Sequence, residues 1–178
     1  MPVAVASTLL VDDEACERGI ELIRGAGTIT GPGKVSVDGT EYETTFVTET
    51  GATSVTDTMT VPTGGLVPFR ELIREVKGLS GSVPMRWRVE PRFGYGAARS
   101  RVGRRQEIPV AEAGADAVAI RTFEAGEPEV DSGAVFGRFG IDAGRSALIA
   151  LCFAHQEPLV FPSRFEIEER SASTVASW

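Results

Sequence analysis

Histidine occurs once in this chain, at His155, and cysteine twice, at Cys16 and Cys152. Neither cysteine has a second Cys or a His at ligand spacing, which excludes a structural zinc site of the usual kind. Cys152 sits inside the apolar run ALIALCF and reads as a buried core thiol. No apolar run approaches the roughly 18 residues of a membrane span. The short apolar run near the start has no basic stretch before it, so a secretory signal is not expected and the setting reads as reduced and cytoplasmic. A Gly-x-Ser-x-Gly elbow is missing, and so is a Gly-rich phosphate loop ending in Gly-Lys-Ser/Thr. Basic residues are outnumbered, 18 to 25, for a net charge of −7. That balance argues against general binding to nucleic acid or to an anionic membrane, both of which need Lys and Arg in excess. No metal or cofactor is expected.

What is present is β patterning. A length of 178 residues fits one domain, or one with a small extension, and is long enough to bury a core without staples. Residues 41–61, EYETTFVTETGATSVTDTMTV, are two alternating runs rich in Thr and Val and broken once by Gly51, which reads as an antiparallel hairpin. Tyr42, Thr44, Phe46 and Thr48 share one face. Val55, Asp57, Met59 and Val61 share another, which sets Asp57 among apolar neighbours and predicts a partner for it if buried. Pro62 to Pro68 reads as a loop. The next strand carries Leu72, Arg74 and Val76, and the spacing of LSGS (Leu79–Ser82) predicts a turn.

Val83 to Arg92 has the strongest alternation in the chain. Val83, Met85, Trp87 and Val89 form a core face, while Arg86, Arg88, Glu90 and Arg92 form a charged outer face. FGYG then turns the chain. Arg99, Arg101, Arg104 and Arg105 read as a basic loop. Ala117–Phe123, Ala134–Ile141 and Ser146–Phe153 are three further strands, the last apolar on both faces as befits a strand between two layers. Near the N-terminus VAVASTLLV is compatible with a strand, DEACERGIELIRGAG with a short helix or a strand pair, and GTITGPGK with a turn-rich break. Arg164–Trp178 has helix-compatible spacing that stops abruptly at Trp178. The expected fold is all-β, a two-sheet antiparallel sandwich of nine to eleven short strands with at most two helices.

Sites of chemistry are sparse. Arg92, Phe93 and Tyr95, set beside two glycines, offer an aromatic platform with a guanidinium donor, a combination that suits the apolar face and hydroxyls of a sugar; core packing at a bend is the plainer alternative. His155, at a strand end and followed by Gln156 and Glu157, is a candidate general base, or else a solvated loop residue.

Three stretches together resemble the N-terminal domain of bacterial and archaeal family-15 glycoside hydrolases, the glucoamylase and trehalase-like group. They are GTEYETTFVTETGATSVTDTMTV, ELIREVKGLSGSVPMRWRVEPRFGYG and the terminal EIEERSASTVASW, in the family's order and at about its spacing. The family's bend usually has an acid where Gly94 stands. The resemblance implies a super-sandwich similar to the galactose-mutarotase-like sandwiches. It implies an uncertain segment at 1–39, a sandwich over 40–163, and at 164–178 the start of a linker helix leading into a catalytic (α/α)6 barrel. In that family both catalytic glutamates belong to the barrel, so no catalytic residue carries over to this chain. The implied role is support of the barrel and of the entrance for an α-glucan or trehalose, with Trp178 as an anchor at the domain interface. A free-standing carbohydrate-binding module and a mutarotase-like enzyme using His155 are the alternatives.

Overall fold

A computed structural model describes residues 3–11, 27–31, 34–37, 40–43, 45–60, 70–131 and 133–176. Among them run strands β1 (Val3–Val11), β2 (Gly27–Gly31), β3 (Lys34–Val37), β4 (Thr40–Glu43), β5 (Thr45–Val47), β6 (Gly51–Met59), β7 (Arg70–Phe93), β8 (Arg101–Arg105), β9 (Ile108–Ala113), β10 (Asp116–Phe123), β11 (Glu129–Asp131), β12 (Ala134–Asp142) and β13 (Ser146–His155), and one helix, α1 (Arg164–Ala176). The fold is all-β with a C-terminal helix, and every strand pair is antiparallel.

β7 is 24 residues long and belongs to both layers of the sandwich. Its first half lies between β6 and β13, with Val55 and Ala147 both opposite Val76. Its second half lies between β1 and β12, with Leu9 and Gly137 both opposite Trp87. The first layer continues outward through β10, β9 and β8, and the second through β11. The two expected sheets are therefore one hydrogen-bonded sheet folded along a shared strand.

The segment Leu79–Ser82, expected as a turn, lies inside β7. Glycine makes this physically possible. Gly81 takes φ +59°, a region that costs glycine little, and the register against β6 slips between Ala52 and Thr53. The strand folds over through a bulge and keeps its ladder pairing on either side of it. Around the bend Ser82 N–H donates to the Thr50 carbonyl at 3.0 Å, Ala143 N–H to that of Gly81 at 2.9 Å, and Gly144 N–H to that of Gly78 at 2.9 Å. A Cβ on Gly51, Gly78 or Gly81 would strike a backbone carbonyl of Ser80, Asp142 or Thr50 respectively.

Beyond the bend the alternation holds residue by residue. Val83, Met85, Trp87, Val89 and Phe93 are buried together with Val76, Val118, Ile120, Ile149 and Leu151 of the facing layer. Each large side chain so buried contributes roughly 1.5–3 kcal/mol. Trp87 lies against Gly137, where any Cβ would meet its indole, and its Nε1–H donates to the Ala125 carbonyl at 2.7 Å. Leu72 and Trp87 line one cleft, so β7 doubles back. Arg70 and Phe93 therefore stand at the same end of the sandwich.

β13 is apolar on both faces because both are covered. Ala147, Ile149 and Leu151 face the other layer, while Leu148, Ala150 and Cys152 join a second cluster under Ile167 of α1. The helix opens with a capping box: Ser163 N–H and Oγ both meet Glu166 Oε2 at 2.7 Å, and Glu166 N–H faces Ser163 Oγ at 3.4 Å. Those bonds hold the Glu166 carboxyl below its ordinary value.

Several local expectations change. Residues 27–31, expected as part of a break, form β2 and pair with β3. The first arm of the 41–61 hairpin is divided: Thr40–Glu43 pairs with β3, and only Thr45–Val47 pairs with β6. Asp38 and Gly39, the two residues between β3 and β4, are a strong short-range hairpin signal that competes for that arm. Arg101–Arg105, expected as a loop, is β8 and pairs with β9 across Gln106 and Glu107, both at positive φ. Nothing in that pair of residue types announces such a turn. β1 brings residues 3–11 into the main sheet, ahead of the expected sandwich start at residue 40. The helix or strand pair expected in DEACERGIELIRGAG and the loop between Pro62 and Pro68 lie outside the described residues.

Gly81→Ala is expected to cost on the order of 1 kcal/mol or more, from strain at positive φ plus the clash with Thr50. Gly114, at φ +62° with open space around its Cα, isolates the strain. Urea midpoints should fall clearly further for Gly81→Ala than for Gly114→Ala, and equal losses would show that the crowding at the bend is immaterial.

Candidate functional site

The end of the sandwich where β7 both begins and finishes gathers the polar chemistry. At the finishing end the chain leaves Phe93 through a 3-10 turn, Gly94–Gly96. The structure divides the expected platform of Arg92, Phe93 and Tyr95. Phe93 is fully buried in the core. Arg92 points outward and its Nη2 meets Glu90 Oε1. Tyr95 is 77% exposed and is held at φ +59°, an uncommon conformation for a residue with a side chain. The surface thus offers one ring and one guanidinium. Trp178 lies outside the described residues.

At the same end, His155 closes β13 directly opposite Asp116, the first residue of β10. Its Nδ1 is 2.6 Å from Asp116 Oδ1, with Asp116 largely buried and the imidazole part exposed. Among the described residues Nε2 has no hydrogen-bond partner. A carboxylate that fixes one ring nitrogen orients the other, the arrangement a general base requires. Gln156, at φ +57°, donates its N–H to the Ala115 carbonyl and turns the chain away. Glu157 and Arg70 stand 4.0 Å apart beside it.

Asp57, expected to need a partner only if buried, is exposed and is paired all the same. Arg74 lies directly opposite it on β7 and donates through Nε and Nη2 at 2.6 and 2.5 Å. The pair stands on the inward face and rims a cleft lined by Leu72, Trp87, Val89, Ile149 and Leu151. It closes the open flank of the sandwich with charge. Groups of three or more His, Cys, Asp or Glu placed to hold a metal ion are absent among the described residues. No described helix is long and apolar enough to cross a membrane.

One polar centre had no forewarning in the sequence. Glu71 is buried under α1, and Arg170, far along the chain, grips it through Nε and Nη2, each at 2.7 Å. Cys152 Sγ lies 3.7 Å from the same carboxylate. Burial, and then the Glu71 charge, push the thiol up to about 12, so Cys152 stays protonated and is a poor nucleophile. Only the outward parity of Glu71 on β7 was readable; the helix that covers it was not. This centre joins helix to sheet, with Glu71 and Cys152 buried and Arg170 partly exposed.

No family model, curated protein or solved structure matches this chain.

Arg170→Ala would leave Glu71 buried without its cation and is expected to lower stability by about 3 kcal/mol. Replacing both, as Glu71→Gln with Arg170→Met, should restore most of that loss, since removing both charges spares the desolvation cost. Urea unfolding of the three variants checks the cycle; a double variant as weak as Arg170→Ala would show that the helix depends on charge itself.

Proposed function

We propose that this chain is the non-catalytic sandwich domain of a glucoamylase- or trehalase-like family-15 glycoside hydrolase, with a super-sandwich of the galactose-mutarotase-like kind. Its role is to support an (α/α)6 catalytic barrel and help shape the entrance for an α-glucan or trehalose. The observation that carries the reading is the place of the most specific resembling stretch. Leu79–Gly96 is the second half of the shared strand and the bend that follows it, and the helix-forming stretch comes after the sandwich, locked onto its first layer by Ile167 and the Glu71–Arg170 pair. A helix fixed at that depth gives a following domain a defined starting direction. Tyr95 and Arg92, exposed at one end of the sandwich, supply the residue types that line sugar-binding surfaces. As such a domain the chain works inside cells on carbohydrate.

Calorimetric titration separates this role from that of an independent carbohydrate-binding module. The supporting role predicts no heat with millimolar trehalose, maltose or longer maltooligosaccharides, and a reading frame that continues past Trp178 into a barrel carrying two catalytic glutamates. Saturable heat that disappears in Tyr95→Ala would make the chain a sugar-binding module instead.

The His155–Asp116 pair favours a second reading, a mutarotase-like activity with His155 as general base. It predicts that the chain accelerates the interconversion of glucose anomers and that His155→Ala reduces the rate by roughly 100-fold or more. Polarimetry showing the uncatalysed rate for both proteins would remove this reading and leave the first untouched.

A further inference from the structure

Two strands of the main sheet, β8 and β11, are edge strands of opposite charge. Among the described residues β8 pairs only with β9, and β11 only with β12. β8 reads Arg-Val-Gly-Arg-Arg and β11 reads Glu-Val-Asp. Arg104 Nη2 donates to the carbonyl of Pro128, just ahead of β11, so the two edges lie on one flank at the same height. Counted through the antiparallel ladder and the fold in β7, they run in opposite directions.

Gln106 and Glu107, both at positive φ, make Arg105 and Ile108 the bonded closing pair of a two-residue hairpin. Bonding then alternates, so Arg101 and Gly103 bond to β9 while Val102 and Arg104 turn their N–H and C=O groups to the open edge. Pro109, opposite Arg104 and without an N–H, fits that assignment. A Cβ on Gly103 would meet nothing within 4 Å, so another backbone can come close there. Side chains alternate as well. Val102 packs against the inner core, and Val130, opposite the core residue Val135, faces the same way and is 37% exposed. Arg101 and Glu129 therefore lie on the outer faces, and both are exposed. Arg101 stands opposite Glu112, but that carboxylate meets Arg105. Neither Arg101 nor Glu129 has an ion-pair partner among the described residues.

We propose that two copies of this chain form a two-fold dimer in which β8 of each adds to β11 of the other. Rotation about an axis parallel to the strands preserves height and direction and exchanges the layers, so both antiparallel pairs form at once. When Val102 lies beside Val130 of the second copy, Arg101 faces Asp131 of that copy, and Glu129 of that copy lies diagonal to Arg101, within reach of its long side chain. Charge on an edge strand ordinarily keeps foreign strands away. Here each edge repels a second copy of itself and attracts the other, so charge selects the pairing.

Sedimentation equilibrium of the whole chain over a range of concentrations tests the dimer. A monomer–dimer equilibrium is expected, weaker at high salt. Arg101→Glu should raise the dissociation constant about tenfold or more, as should Glu129→Arg/Asp131→Arg, since each brings like charges together at two symmetry-related contacts. Arg101→Ala, which adds no new charge, should weaken the dimer in the same direction. Mixing Arg101→Glu with Glu129→Arg/Asp131→Arg should restore association, because both strand pairs then join unlike edges. Restoration on mixing separates pairing between copies from pairing of β8 with β11 of the same chain. A parent chain that stays monomeric at every concentration overturns the proposal whatever the variants do. So does a dimer that persists in both charge variants, or a mixture that stays monomeric while circular dichroism shows both variants folded.

Discussion

A backbone without side chains is what allows this fold to exist. Where β7 passes from one layer to the other, Gly51, Gly78 and Gly81 each lie against a carbonyl that a Cβ would strike. The bonds from Ser82, Ala143 and Gly144 close the same spot from three directions. The crossing fixes the angle between the layers. That angle sets which residues of the second half meet which of the first, and so places Trp87 over Leu72, Ile149 and Leu151. The core has its shape because the strand can fold there, and it could fold nowhere else along Arg70–Phe93 without forfeiting ladder bonds on both sides.

The helix is held by a different kind of force. Its inward stripe consists of Arg164, Ile167, Arg170 and Thr174, only one of them apolar. Hydrophobic burial alone would leave such a helix free to slide over the sheet. A bidentate pair to Glu71 at one point, and a bond from Arg164 to Ser146 Oγ at another, set its rotation and its register. Buried ion pairs often add little net stability because desolvation offsets attraction. Here the charge pair specifies position, and the apolar contacts of Ile167 supply the adhesion.

Legibility from sequence followed the range of the physics. The alternation from Val83 to Phe93 and the two-sided apolar character of β13 depend on period-two geometry, and both could be read directly. The turn expected at Leu79–Ser82 lies within a strand that folds over while still paired, because glycine marks both loop turns and bulges and only the pairing partners decide between them. The strand at Arg101–Arg105 was hidden because its turn residues, Gln106 and Glu107, adopt positive φ without the usual Asn or Gly. Glu71 was invisible as a buried charge, since its cover comes from a helix distant in sequence. Of the candidate residues at the end of the sandwich, His155 was readable by its rarity. Asp116 was not, because only the β10–β13 register brings it to the imidazole.

A strand paired on both edges in both layers also constrains the order of events at the ribosome. β6 precedes β7 and can pair as soon as β7 emerges, but β12 and β13 are made only after β8 to β11 have left the exit tunnel. During synthesis one whole edge of a 24-residue strand waits uncovered, with the apolar row from Val83 to Phe93 beside it. Open edges of this kind recruit foreign strands. Slow translation through residues 94–133 would lengthen that exposure, so the yield of folded protein in a cell is tied to the speed at which this middle stretch is made.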